Sequence, residues 1–80
     1  MFLYLVEQEV ERSRQKHGNL HSFHEGLGVI YEEYSEFRDE IFKKVHNKQA
    51  ILEELVQLAA MCYKLTVDMQ LLKDESQSAV

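Results

Sequence analysis

The residues of this chain best suited to chemistry are carboxylates arranged in two short strings. Six of the fourteen acidic residues lie between Glu25 and Glu40. Positions 32–36 read E-E-x-x-E, and a second string at positions 53–57 reads E-E-x-x-Q. Carboxylates that meet at the border of a core repel one another, and a hard divalent cation such as Mg²⁺, which prefers oxygen ligands, relieves that repulsion. The two strings therefore indicate a candidate cation site.

Helical geometry decides which of these acids can meet. At about 100° per residue, Glu33 and Glu36 share one helix face. A stripe of the following helix, polar except at one methionine, is formed by Glu54, Gln57, Met61, Lys64 and Asp68. If the two helices pack antiparallel, the first pair can face Glu54 and Gln57. A solvated Glu-rich face, with acids paired to Lys or Arg three or four residues away, remains the alternative interpretation.

Three helices are expected to position these acids, because the chain has no proline and only three glycines. The first helix is predicted over residues 2–16 and stops at the Gly18-Asn19 pair. The second is predicted over residues 22–44. It begins with an S-x-x-E capping box formed by Ser22 and Glu25.

The third helix is predicted over residues 47–73, with Asn47 as its N-cap. Residues 74–80 are polar and are expected to fray. No linker, internal repeat or low-complexity tract divides the chain, so residues 1–80 are interpreted as a single helical domain.

Apolar stripes on the helices predict how they pack. The stripe of the first helix is Leu3, Val6 and Val10. The stripe of the second is Phe23, Leu27, Ile30, Tyr34, Phe37 and Ile41, and that of the third is Ile51, Leu55, Leu58, Cys62, Leu65, Met69 and Leu72. The third helix is so apolar that we expect it to have neighbours on two sides.

Chain length adds an expectation about assembly. A chain of 80 residues without a disulfide builds only a marginal core by itself. We therefore expect an all-α fold, an antiparallel helical hairpin plus an N-terminal helix. A homodimer or homotetramer would complete a four-helix-type bundle.

Composition excludes several classes of protein. The net charge of −5 argues against a general nucleic-acid binder. A single cysteine excludes a disulfide scaffold and a zinc finger. No apolar run approaches the roughly 20 residues of a membrane span, and the apolar start at residues 2–6 is too short for a signal peptide. We expect a cytoplasmic protein whose partners include neither nucleic acid nor a membrane.

At its acidic strings the chain resembles the MazG-like, all-α nucleotide pyrophosphohydrolases, and in particular a small branch of the phage and mobile-element type. The family motif is E-E-x-x-E, a gap of one to two dozen residues, and then E-x-x-D. Positions 32–36 match the first part in full, and the seventeen residues 37–53 fit the gap. The stretches 24–30 and 53–61 also look like this branch, and the resemblance covers about residues 23–72.

That resemblance implies hydrolysis of a nucleoside triphosphate to its monophosphate and pyrophosphate, a reaction that can serve nucleotide-pool house-cleaning. It also implies that Glu33, Glu36 and Glu54 hold Mg²⁺, or Mn²⁺ in its place. The chain departs from the motif at Gln57, where the family has its last Asp. An amide oxygen can ligate Mg²⁺ but brings no charge. We therefore expect weaker metal binding, or the loss of one metal of two, with Gln57 as a weak or outer ligand.

Four other residues are candidates within the site that the resemblance implies. Either Glu32 or Glu53 would position the attacking water. Lys64 either offsets phosphate charge or is an ordinary solvated lysine. His24, close to two glycines, either touches the substrate or is a polar residue at the edge of a loop.

Two functions without catalysis also remain open. One is a helical interaction protein that retains the fold, and the other is a nucleotide sensor that binds without turnover. Both of these functions are favoured if catalysis requires the negative charge that Gln57 lacks.

Overall fold

A computed structural model describes residues 1–72 of the protein as three α-helices, with no strand among those residues. Helix α1 spans Phe2–His17, α2 spans Phe23–Ile41 and α3 spans Lys48–Asp68. The predicted all-α class is confirmed for this part of the chain. The expectation that residues 74–80 fray lies outside the described residues.

The starts of α2 and α3 follow the predicted caps. Ser22 Oγ accepts a hydrogen bond from the Glu25 N–H at 3.0 Å, and the Glu25 carboxylate accepts one from the His21 N–H at 2.6 Å. Asn47 Oδ1 accepts from the Ala50 N–H at 3.1 Å. These acceptors satisfy backbone donors that have no partner inside the helix, which is why local sequence predicts where the helices begin.

The end of α1 is predicted correctly, whereas α2 ends earlier than predicted. Gly18, with φ 77°, terminates α1 in the left-handed region that glycine tolerates. Helix α2 ends at Ile41 rather than near Lys44. His46 Nε2 lies 2.9 Å from the Ile41 carbonyl oxygen, so a side chain from the turn replaces the next helical hydrogen bond.

Helix α3 also ends earlier than predicted, at Asp68 rather than near Lys73. Gln70 has φ 57°, a conformation that a continuing helix does not allow. The preceding pair Thr66-Val67 is β-branched, and Thr66 Oγ1 donates to the Cys62 carbonyl at 2.9 Å, a local bond that weakens helix propagation.

Helix α3 lies at the centre of the arrangement. Within residues 1–72, α1 and α2 each pack against α3 and not against each other. Gly26 of α2 lies against Leu65 while Glu33 meets Gln57, so α2 and α3 run antiparallel. A Cβ at Gly26 would overlap the Leu65 side chain, so this glycine permits the close approach of the two helices.

The core of the single chain forms between α1 and α3. Its buried cluster is Val6, Val10, Val56, Ala60 and Met61. Val6 and Val10 therefore occupy the predicted face of α1, whereas Leu3 is exposed.

Much of the predicted apolar stripe of α2 and α3 faces outward in the single chain. Phe23, Leu27 and Tyr34 are 54%, 64% and 46% exposed, and Leu55 and Cys62 of α3 are also exposed. The reason lies in α3, which is apolar around most of its circumference. Helix α1 covers the flank around Val56 and Ala60, and the opposite flank is left outside the core.

Within residues 1–72, none of the three helices combines the length and the apolar character that crossing a bilayer requires.

Candidate metal centre

The candidate site lies at the edge of a cleft of about 420 Å³ between α1 and α2, with α3 as its floor. Glu33 and Gln57 line this cleft, whereas Glu36 and Glu54 are not among its lining residues. Its acidic lining residues are Glu9, Glu25, Glu32 and Glu33, and its basic ones are Arg12, Lys16, His17 and Lys64. Three of the acids come from α2 or its first turn, whereas the basic residues other than Lys64 come from α1. The cleft therefore has an acidic wall and a largely basic wall.

On the acidic wall, three carboxylates of α2 converge. Glu32, Glu33 and Glu36 each offer an oxygen atom, and these atoms lie within 4.8 Å of one another. Glu33 is half-buried, whereas Glu32 and Glu36 are exposed. The i, i+3 relation of Glu33 and Glu36 produces this grouping. Glu32, the residue immediately before Glu33, joins it through its i, i+4 relation to Glu36.

Gln57 connects the carboxylates of α2 with that of α3. In the orientation that satisfies hydrogen bonding, its amide nitrogen donates to Glu33 Oε2 and to Glu54 Oε1, each at 3.2 Å. The structure thus links Glu33 and Glu54 through Gln57 across the α2–α3 interface, and it places Glu36 beside Glu33. This is the juxtaposition that antiparallel packing predicts. Glu54 is not a member of the group of carboxylates whose oxygen atoms lie within 4.8 Å of one another.

The carboxylates of the site stabilise one another's protonated forms. Burial raises the pKa of Glu33 to about 7, with further contributions from the charges of Glu36, Glu54, Glu32 and Glu9. Burial and the charge of Glu36 also raise the pKa of Glu54, and the nearby charge of Lys43 only partly opposes this. The ionised forms of these two half-buried acids are therefore destabilised in the absence of a cation.

The donor set fits a hard divalent cation. Three glutamate carboxylates and one amide group provide oxygen ligands only, which suits Mg²⁺ or Mn²⁺ and not a metal that requires sulfur. The raised pKa of Glu33 and of Glu54 is the response expected of carboxylates placed together without a compensating cation. Glu33, Glu36, Glu54 and Gln57 are therefore suitable ligands on chemical grounds.

The two candidates for positioning water lie in different places. Glu32 lines the main cleft beside Glu33. Glu53 is exposed and lines a separate groove between α1 and the start of α3. His24 is exposed and is not among the residues that line the main cleft.

Lys64 lies at the base of the cleft and is only 2% exposed, so its interpretation as an ordinary solvated lysine is wrong. Its ammonium group donates to Ser13 Oγ at 2.8 Å and to the Gly18 carbonyl at 3.0 Å. Burial and the charge of Arg14 lower the pKa of Lys64, with Asp68 and Glu25 acting in the opposite direction. This side chain fastens the C-terminal end of α1 to α3.

A second polar contact reinforces this attachment. Arg14 forms an ion pair with Asp68 at 2.9 Å, and Asp68 also accepts a hydrogen bond from the Leu20 N–H at 2.8 Å. Burial acts to raise the pKa of Asp68, but these hydrogen bonds and the charges of Arg14 and Lys64 outweigh it, so the pKa is lowered. The end of α1 and the following loop are therefore held on α3 by charge-assisted hydrogen bonds.

The sequence interpretation missed the contribution of α1 to the cleft. Arg12 pairs with Glu9 at 2.7 Å, and the hydrogen bond and charge of Glu9, with a smaller contribution from Glu33, raise the pKa of Arg12. The i, i+3 spacing of Glu9 and Arg12 was one available signal. Ser13 was another, because it continues the apolar stripe of Val6 and Val10, where a polar residue is expected to have a buried partner.

Comparisons of the chain with protein-family models, with curated proteins and with solved structures find no match. The relation to the MazG-like pyrophosphohydrolases thus rests on the motif at the acidic strings and stays a proposal.

Proposed function

We propose that this protein is a Mg²⁺-dependent, MazG-like pyrophosphohydrolase that cleaves a nucleoside triphosphate to its monophosphate and pyrophosphate in the cytoplasm. The observation that carries the proposal is the meeting of Glu33, Glu54 and Gln57 across two helices. They meet beside a cleft whose opposite wall is basic. A substrate with a polyphosphate chain can use both walls. The acidic wall provides a cation site, and the basic wall provides positive charge for the phosphate oxygens that the cation does not contact.

The residues of the chain have separate tasks in this reaction. Glu33, Glu36 and Glu54, with the amide of Gln57, would hold the cation. When bound, that cation supplies positive charge to the phosphate oxygens and lowers the pKa of a coordinated water. Water adds to one phosphorus atom of the α–β anhydride, the P–O bond of that anhydride breaks, and the departing phosphate oxygen takes the electron pair of that bond.

Glu32 is favoured over Glu53 as the group that orients the water and accepts its proton, because Glu32 lies in the cleft beside Glu33. Arg12 and Lys16 on the basic wall would bind phosphate oxygens. We assign Lys64 an indirect role, since two protein acceptors already occupy its ammonium group.

A homo-oligomer is part of the proposal. The outer faces of α2 and α3 expose Phe23, Leu27, Tyr34 and Leu55. Large exposed apolar areas of this kind are typical of protein–protein interfaces. A second copy of the chain that covers them would complete a bundle of four helices, in a dimer or a tetramer.

The test of the activity is pyrophosphate release from a panel of ribo- and deoxyribonucleoside triphosphates, with Mg²⁺, with Mn²⁺ and with EDTA. For at least one nucleotide, we expect pyrophosphate release that requires the cation. This release should be lost in Glu33→Gln. Glu7→Gln, a change on the exposed surface of α1, is the matched control. No release from any nucleotide with either cation would refute the enzymatic proposal.

The same outer apolar faces also support the alternative of a non-catalytic interaction protein. In that case neither release nor nucleotide binding is expected. A nucleotide sensor, in contrast, would bind a nucleotide in the presence of Mg²⁺ without releasing pyrophosphate. Calorimetric titration beside the release assay separates these two alternatives.

A further inference from the structure

Gln57 occupies an unusual position for a neutral side chain. With its nitrogen assigned toward the acids, the orientation in which both contacts are hydrogen bonds, its single amide group bridges two carboxylates from different helices, Glu33 of α2 and Glu54 of α3, at 3.2 Å each. A primary amide has two N–H donors on one nitrogen, so it can serve both oxygens at once. A carboxylate at this position would have no donor and would add a further negative charge.

The surroundings make these two hydrogen bonds important. Glu33 and Glu54 are half-buried, and the pKa of each is raised by burial and by the negative charges of neighbouring acids. Lys43 acts on Glu54 but is not among the groups that influence Glu33. Arg12 of α1 interacts with Glu33 through its charge, but its ion pair is with Glu9, and that of Lys43 is with Glu40. Among residues 1–72, the Gln57 amide is the group placed to contact the Glu33 and Glu54 carboxylates at the same time.

We propose that Gln57 substitutes for the cation in the metal-free protein, and that its N–H groups leave Glu33 and Glu54 when a divalent cation binds. The amide then turns about its terminal torsion and presents its carbonyl oxygen instead. That torsion has a broad energy profile, and the nitrogen and oxygen atoms of an amide are nearly equal in size. The second part of this inference rests on the proposed metal site, whereas the first part does not.

This role has a consequence for how the site depends on metal. With an acid at position 57, the helices would be held together at this point only while a cation is bound. With glutamine, the metal-free form is stabilised, and binding must break two hydrogen bonds before a ligand is gained. Compared with an acid at this position, Gln57 thus lowers the affinity for the cation and raises the stability of the metal-free protein.

Side-chain ¹⁵N–¹H NMR of the full chain tests the proposal directly. The Gln57 NH₂ signals are assigned by their loss in Gln57→Glu, and the NH₂ signals of the exposed Gln49, also on α3, serve as the internal reference. In EDTA we expect the Gln57 signals to be displaced from those of Gln49, and Glu33→Ala to move them toward the reference. Addition of Mg²⁺ should shift the Gln57 signals and leave those of Gln49 in place.

Thermal denaturation in EDTA and in Mg²⁺ provides a second measurement. Gln57→Leu and Gln57→Glu should each lower the melting temperature in EDTA by several degrees, whereas Gln49→Leu should not. The rise in melting temperature caused by Mg²⁺ should be largest in Gln57→Glu, intermediate in the wild type and smallest in Gln57→Leu. Gln57 signals that coincide with those of Gln49 in EDTA would overturn the metal-free bridge.

The outcomes separate this inference from the proposed function. If Mg²⁺ raises the melting temperature but leaves the Gln57 signals unchanged, the exchange at Gln57 is refuted while the metal site stands. If Mg²⁺ changes neither quantity, the metal site and the exchange fail together, and the EDTA measurements still decide whether the bridge exists.

Discussion

Glu33 must be ionised to bind a cation, whereas its position in the fold disfavours the ionised form. Its pKa is raised to about 7 by burial and by neighbouring acids, whereas its ordinary value is 4.5. The unfolded chain therefore releases this proton at a lower pH than the folded protein does. Between these two values the folded state binds more protons, so the free energy of unfolding falls as pH rises through that window.

The sign of this effect gives a prediction for Glu33→Gln, measured in EDTA. Below pH 4.5 the substitution should leave stability almost unchanged, since Glu33 is protonated in both states. Above pH 7 it should raise stability, by about 1 kcal/mol once solvent screening of a half-buried group is allowed for. Urea denaturation at several pH values checks this, with Glu7→Gln as the control. A benefit that is independent of pH would contradict the raised pKa.

A second prediction concerns Glu36, which lies beside Glu33 but is exposed. Millimolar Mg²⁺ or Mn²⁺ should raise the melting temperature of the wild type, because a ligand that binds only the folded state stabilises it. Glu36→Ala should remove that rise without lowering the melting temperature in EDTA, since few packing contacts are lost and the repulsion between Glu36 and the carboxylates of Glu33 and Glu54 is relieved. Glu7→Ala, a change at another exposed glutamate that does not line the cleft, should preserve the rise. An undiminished rise in Glu36→Ala would exclude Glu36 as a ligand.

At the residue scale, the sequence predicted the pairing across helices but not the environment of each group. Glu33, Glu54 and Gln57 follow helical spacing, and spacing is visible in a sequence. The burial of Lys64 was not visible, because its partners are Ser13 and the Gly18 carbonyl, which come from another element. The residues next to a lysine in the sequence do not indicate that a backbone carbonyl at the end of another helix will accept its hydrogen bond.

At the element scale, Gly26 and Gly28 form a matched pair within α2. A Cβ at Gly26 would overlap Leu65 of α3, whereas a Cβ at Gly28 would meet nothing within 4 Å. Alanine gains about 1 kcal/mol over glycine in a helix from backbone entropy. Gly28→Ala should therefore stabilise the protein by about that amount. Gly26→Ala should be less stable than Gly28→Ala by about 1–3 kcal/mol, because Leu65 must move.

Chemical denaturation of the two glycine variants beside the wild type measures this difference. Equal stabilisation by both substitutions would show that α2 and α3 are not in close contact at Gly26.

Lys64 offers a further prediction about the attachment of α1. Lys64→Met keeps most of the side-chain volume but leaves the Gly18 carbonyl and the Ser13 hydroxyl without their donor. We expect a loss of about 1–3 kcal/mol, the usual cost of an unsatisfied buried polar group. Lys44→Met, at an exposed position of the α2–α3 turn, should change stability by less than about 0.5 kcal/mol. Equal effects of the two variants in thermal denaturation would contradict the fastening role of Lys64.

The limits of prediction at this scale have a physical cause. Helix starts depend on adjacent residues such as Ser22 and Asn47, so they were predicted correctly. The inward flank of α3 depends on where α1 packs, and the apolar residues of α3 surround most of the helix. Periodicity alone could not decide between its two apolar flanks.

At the scale of the whole molecule, the outer apolar faces predict assembly. Light scattering at micromolar concentration should give a dimer or tetramer of the 9.5 kDa chain. Leu27→Lys should weaken the assembly, because it places a charge on an apolar face that a second copy would cover. Val45→Lys, at the exposed α2–α3 turn, is the control and should leave the mass unchanged. A mass of 9.5 kDa for the wild type would exclude the oligomer.

Within residues 1–72, α3 is the helix against which α1 packs, and this also determines how the molecule comes apart. A helix with a single neighbour can detach in a partial unfolding event that leaves the other two helices paired. Amide protons of α1 should then exchange with deuterium sooner than those in the middle of α3, and Lys64→Met should increase the exchange in α1 most. In such an opened state, Glu33, Gln57 and Glu54 would stay together, while Arg12 and Lys16 would leave with α1. The acidic half of the cleft would therefore persist through fluctuations that remove its basic half.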